Sequence, residues 1–117
     1  MLNDSANGVN KGYHENGNLN WEATFIHGKQ NGVNKTYYEN GNIRTILPYL
    51  NGKRNGVGID YYKNGNVESE TTYKDDKQDG ILKLYWDSGN LQSETNFVND
   101  SVREAKYYDV DGKEIKQ

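Results

Sequence analysis

The sequence contains no cysteine, one proline, one methionine and no apolar run approaching the length of a membrane span. Without cysteine there is no disulfide framework and no zinc–thiolate site. Without about 18 consecutive apolar residues there is no transmembrane helix. Bulky apolar side chains are scarce as well. Leu, Ile, Val and Phe make up 22 of 117 residues, at the composition border where highly charged chains stay disordered. The net charge is only −3, so the second half of that disorder signature is missing, but a large apolar core is excluded. There is no basic excess either. A pI near 5.3 argues against nucleic acid as the main partner, because phosphate contacts need a basic face. It disfavours an anionic membrane for the same reason.

What is abundant is turn chemistry. Asn, Asp and Gly supply 39 of 117 residues, and these residues tolerate the left-handed backbone that tight turns require. Residues 1–6 form a short lead-in with no basic stretch and no apolar segment, so no secretory signal is read there. The expectation is a cytoplasmic chain. A chain from which a leader had been cut would look the same and would belong in the periplasm or at the surface.

An internal repeat organises everything after that. The segments NGVNKGYHENGN (7–18), NGVNKTYYENGN (31–42), NGVGIDYYKNGN (55–66) and DGILKLYWDSGN (79–90) begin 24 residues apart. Constant spacing over four units identifies a repeat protein. The units run 7–30, 31–54, 55–78 and 79–102, followed by a partial fifth at 103–112, slipped by one residue, and a tail at 113–117. Within a unit, Val33, Lys35 and Tyr37 alternate with Asn34, Thr36 and Tyr38, which is strand periodicity. Ile43, Thr45, Leu47 and Tyr49 alternate in the same way with Arg44, Ile46, Pro48 and Leu50. Glu39-Asn40-Gly41 between them is a hairpin turn, and a three-residue loop with Gly41 left-handed sets Tyr37 opposite Ile43. The expected fold class is all-β: an antiparallel meander of four to five tandem hairpins, roughly eight or nine strands, forming an elongated, twisted single-layer sheet. One face would carry the Val, Tyr, Leu/Ile and Phe/Tyr columns. The other would carry His14, Tyr38, Tyr62 and Trp86 beside Glu22, Ile46, Glu70 and Glu94.

The run Tyr-x-x-x-Gly, an aliphatic, an acidic position, an aromatic and Asn-Gly-Lys resembles MORN repeats, in the bacterial variant with a period of 23–24 residues. Tyr37, Gly41, Ile43, Tyr49, Gly52, Lys53 and Gly56 display it in one unit, and the likeness extends over residues 7–112. The resemblance implies a binding or scaffold role. Bacterial chains of this kind are described as antitoxin or immunity proteins of toxin systems, while other MORN proteins are implied to contact phospholipids or to scaffold assemblies. This chain departs from the pattern at Ile46, Pro48, Asp76, Asp100 and in the fifth unit.

No catalytic, cofactor or metal residues are assigned, and the chain is read as a non-enzyme. His14 and His27 occupy different repeat positions with no second ligand predictably near. Ser69, Ser88 and Ser93 have no periodic base within reach. The aspartates at 75, 76, 79, 109 and 111 lack the spacing of a calcium loop, whose twelfth position, counted from Asp75, would be Trp86. The remaining candidates concern a protein partner, a cognate toxin among them. Tyr38, Tyr62 and Trp86 form either an exposed aromatic stripe or a shield for a thin sheet. Glu70 and Glu94 are neighbouring like charges unless a lysine lies between them. Leu82 and Leu84 join Trp86 at i, i+2, i+4 and need a cover, either the segment Val102–Tyr108 or a partner, including a second copy of the chain. Lys29, Lys53 and Lys77 recur at one turn, giving a basic row that suits lipid headgroups or an acidic protein patch.

Overall fold

The computed structural model describes residues 7–116; the lead-in 1–6 and Gln117 lie outside the described residues. Among the described residues there is no helix. Twelve strands form one antiparallel sheet: β1 (Gly8–Tyr13), β2 (Leu19–Ile26), β3 (Lys29–Gln30), β4 (Gly32–Tyr37), β5 (Ile43–Leu50), β6 (Lys53–Arg54), β7 (Gly56–Tyr61), β8 (Val67–Lys74), β9 (Lys77–Tyr85), β10 (Leu91–Val98), β11 (Ser101–Tyr108) and β12 (Glu114–Ile115). The order is a meander, with β3 and β6 pairing back onto β2 and β5. Its dimensions, 57 × 36 × 14 Å, are those of a single layer.

The strand number exceeds the expected eight or nine because two connections between hairpins are themselves paired, as β3 and β6, and because the tail pairs with β11 as β12. Asn51 and Gly52 both take positive φ, 51° and 84°, so Leu50 meets Lys53 directly across a two-residue turn. This is the type I′ geometry that suits the twist of an antiparallel ribbon. His27-Gly28, Asp75-Asp76 and Asn99-Asp100 repeat it. At the opposite end of each hairpin the loop has three residues. Tyr38 N–H donates to Asn42 O, Gly41 N–H donates to Tyr38 O, and Gly41 sits at φ 94°.

Tyr37 does stand opposite Ile43, but the register then shifts by one residue. Arg44 is extra, so Thr36 faces Thr45 and Val33 faces Pro48. The same bulge recurs with Asn20, Glu68 and Gln92 as the extra residue. A bulge reverses the alternation of side chains beyond it, and this overturns the expected division of the faces. The Phe/Tyr column (Phe25, Tyr49, Tyr73, Phe97) lies opposite the glycine column (Gly8, Gly32, Gly56, Gly80), on the face away from Val33. The glutamate column lies with Tyr37 and Tyr85, whose hydroxyls donate to Glu22 and Glu70 at 2.9 and 2.7 Å. It does not lie beside Tyr38, Tyr62 and Trp86.

That glutamate face carries a charge ladder across nine strands: Lys11, Glu22, Lys35, Ile46, Ile59, Glu70, Lys83, Glu94 and Lys106, each paired with the next. Glu70 and Glu94 are therefore not adjacent like charges, because Lys83 stands between them. Burial and the bond to Glu70 push the Tyr85 pKa up to about 12, and the same two causes raise that of Tyr37. On this face Val9, Val33, Val57 and Ile81 remain 40–55% exposed.

The other face holds what core there is. Ala23, Gly58, Ser69 and Ser93 are buried, and cross-strand neighbours there compensate one another. Thr36 and Thr45 share a 2.6 Å hydroxyl bond, and Ser69 donates to Asp60 at 2.9 Å. Gly12 leaves room for the Trp21 indole, which a Cβ at that position would overlap. Leu82 and Leu84 are half-buried between Thr71 and Thr95 and between Ser69 and Ser93. The segment Val102–Tyr108 does not fold over them. It continues the sheet as β11, paired edge to edge with β10, because its unpaired backbone groups are satisfied by a strand partner rather than by side chains.

Candidate functional site

Neighbouring hairpins are joined along seams of unequal length. Trp21–Thr36 and Glu22–Lys35 pair across β2 and β4, and Thr45–Asp60 and Ile46–Ile59 across β5 and β7. β3 and β6 add two pairs each nearer the turns, whereas β8 and β9 share five pairs. Side chains and turn backbone at both rims add further connections. At the three-residue-loop rim, His14 Nε2 donates to Tyr37 O (2.9 Å), Tyr38 OH to Tyr61 O (2.5 Å) and Tyr62 OH to Tyr85 O (2.6 Å). Trp86, the last of the column, keeps its Nε1 buried without a bond. Asn18, Asn42, Asn66 and Asn90 each donate to a loop carbonyl of the next unit, at Glu39, Lys63, Asp87 and Val110. The aromatic stripe therefore ties each unit to the next, and its rings are half-buried.

At the other rim the two-residue turns stack. Gly52 N–H donates to Gln30 O, Asp76 N–H to Arg54 O and Asp100 N–H to Gln78 O. Where aspartate replaces the glycine, its carboxylate adds a bond from the preceding unit. Arg54 N–H donates to Asp76 Oδ1 at 2.8 Å and Gln78 N–H to Asp100 Oδ1 at 2.7 Å. The Arg54 backbone N–H and then its guanidinium lower the Asp76 pKa. This added acceptor offsets the strain of a non-glycine residue at φ 71°. Lys29, Lys53 and Lys77 lie exposed on this rim among Asp75, Asp76 and Asp100.

The bulges produce a repeated groove beside the aromatic column. Three successive cells are lined in turn by Tyr13, His14, Glu15 and Asn20; by Tyr38, Glu39, Arg44 and Lys63; and by Tyr62, Lys63, Glu68 and Asp87. The central cell measures about 380 Å³. Adjacent cells share a wall, through His14 and Glu39 in one case and Tyr38 and Lys63 in the other. Arg44 lies 5.9 Å from the Tyr38 ring centre, within cation–π range.

Sequence reasoning did not single out Asn20, Arg44, Glu68 and Gln92. Their signal was present as a column that changes character in every unit and, by alternation from Ile43, already falls on the Tyr38 face. Nothing in the sequence shows that a groove opens there; Asn20, Arg44 and Glu68 line it. Of the sequence-derived candidates, Tyr38 and Tyr62 line the groove. Trp86 continues their column. Leu82 and Leu84 share the Trp86 face but lie further along β9, and Glu70 and Glu94 stand on the opposite face. Among the described residues no group of three or more His, Asp and Glu side chains is gathered closely enough to hold a metal ion.

The family model for the MORN repeat variant matches residues 6–27, 30–51, 54–75 and 78–99, well over half of the chain. The chain belongs to the MORN repeat variant family. Each matched MORN segment contains one hairpin with its three-residue loop, and membership supports a repeat-based binding module. No curated protein matches the sequence.

Proposed function

We propose that this MORN array is a non-catalytic protein-binding module acting through the groove beside Tyr38 and Tyr62, and that its partner is a toxin it neutralises as an antitoxin or immunity protein. The observation that carries the binding role is the groove itself. Hydrogen bonds between units fix its framework, while the bulge residue changes from Asn20 to Arg44 to Glu68. A rigid frame with varied polar heads recognises a partner at low entropic cost. The antitoxin role follows the resemblance to bacterial repeat chains of this type, and inhibition would be by occlusion of the toxin active site. A lipid-associated scaffold is the second reading, favoured by Lys29, Lys53 and Lys77 on one rim. The aspartates interspersed there weaken it.

The test is capture of proteins from the source cells by the parent chain and by an Arg44→Glu/Glu68→Lys variant. Both positions are exposed, so the fold survives the change, whereas truncating Tyr38 or Tyr62 would also cut the bridges between units. One stoichiometric protein held by the parent and released by the variant is the expected result. Equal capture by both, or binding only to anionic vesicles, defeats the reading.

A further inference from the structure

The groove cells recur once per unit, that is every two strands, a spacing of about 9.6 Å. A polyproline-II segment presents every third side chain on one side at intervals of about 9.3 Å. An extended β-segment offers same-side intervals of about 6.8 or 13.6 Å, which fit poorly. A helix docks by an apolar stripe in a hydrophobic groove, and no aliphatic side chain lines any of the three cells. Tyrosine-walled grooves are, by contrast, what polyproline-II segments dock into.

Charge then sets the order of the side chains. The first cell holds Glu15 and Glu39 around the neutral Asn20. The second holds Arg44 and Lys63 against Glu39. The third holds Glu68 and Asp87 against Lys63. The sequence of cells is acidic, basic, acidic, and the shared loop residues hold it at a fixed spacing.

We infer that the groove takes a polyproline-II segment of a partner protein whose side chains at every third position read basic, acidic, basic. The inference rests on the groove being the binding surface, and it adds the conformation and charge order of what binds. The probes are two fluorescent peptides of one composition, with Pro-Pro spacers, carrying their charges in the order Lys-Glu-Lys or Lys-Lys-Glu. Their binding to the full chain is read by anisotropy. The parent should prefer the first peptide by about tenfold. Arg44→Glu/Glu68→Lys makes the cells acidic, acidic, basic and should reverse the preference. Replacing the Pro-Pro spacers by Gly-Gly should weaken binding several-fold, because the segment is no longer pre-ordered. Absence of binding by either peptide, a preference the double variant leaves unchanged, or equal binding of the glycine-spaced peptide overturns the inference. If the variant still releases a captured protein while both peptides fail, the inference falls and the groove reading stands. If neither experiment responds, both fall.

Discussion

Ile59 of β7 stands directly opposite Ile46 of β5, and each is the apolar member of an otherwise charged column. Ile46 occupies the place of Glu22, Glu70 and Glu94, and Ile59 that of Lys11, Lys35 and Lys83. A Lys–Glu pair has been exchanged for an Ile–Ile pair as a unit, at the seam where two hairpins meet. Ile46→Glu or Ile59→Lys alone gains an opposite charge on one side, Lys35 or Glu70 respectively. Each also loses the Ile–Ile contact and sets a charge against an aliphatic neighbour on the other side, so each should lower stability. The double variant continues the alternating ladder and should recover about 0.5–1 kcal/mol relative to additivity. Urea unfolding of the four proteins measures this, and strictly additive effects would show that the two side chains do not interact.

The bridges between units make a separate prediction. Tyr62→Phe removes only the hydroxyl that donates to Tyr85 O and should cost about 1 kcal/mol. Because repeat arrays are stabilised by nearest-neighbour terms, the loss should appear as faster amide exchange in the units flanking the seam. A uniform change along the array, or none, would argue that the backbone ladder carries the seam by itself.

Gly12 and Trp21 predict a rescue. Gly12→Thr drives a Cβ into the indole of Trp21, which should cost about 1–3 kcal/mol or detach β1. Adding Trp21→Thr reproduces the Thr36–Thr45 arrangement, where the two hydroxyls meet at 2.6 Å, and should restore β1 protection in hydrogen exchange. Failure of the double variant to re-form β1 would mean that the edge strand depends on the indole for more than space.

The pH dependence has two limits. The Tyr85 pKa is pushed up to about 12 by burial and by its bond to Glu70, against about 10 for a free phenol. A folded value above the unfolded one means that its stabilisation is complete below pH 10 and is lost as the pH rises to about 12. Tyr85→Phe should flatten the fall in melting temperature over that range. At the acid limit, Asp76 has its pKa lowered by the Arg54 N–H and guanidinium. Its stabilisation is present above the usual aspartate value and disappears as the pH drops through the lowered one. Asp76→Asn should show a shallower loss there. Unchanged profiles in both variants would place the titrating groups elsewhere.

Much of the architecture was legible in the repeat. The period, the strand alternation and the Asn-Gly signals lead to the hairpins, and the requirement that Tyr37 meet Ile43 selects the three-residue loop. The candidate site was less legible. Tyr38 and Tyr62 were visible as a column, but nothing local shows that their hydroxyls cross to the next unit. Alternation from Ile43 and Val67 puts Arg44 and Glu68 on the face of Tyr38 and Tyr62, but nothing local shows that a groove opens between them. Glu70 and Glu94 lie beyond the bulge and were placed on the wrong face because the extra residue does not show in the alternation.

The sequence by itself determined that this protein is a tandem array of MORN hairpins, because turn chemistry and strand alternation act over a few residues and repeat every 24. Only the tertiary structure decided which columns share a face, which residues bridge the units and where a groove opens. Those features depend on a one-residue register shift inside each hairpin and on the register in which successive hairpins meet. A single-residue shift moves every side chain beyond it to the opposite face, and the short-range preferences of the chain do not record it.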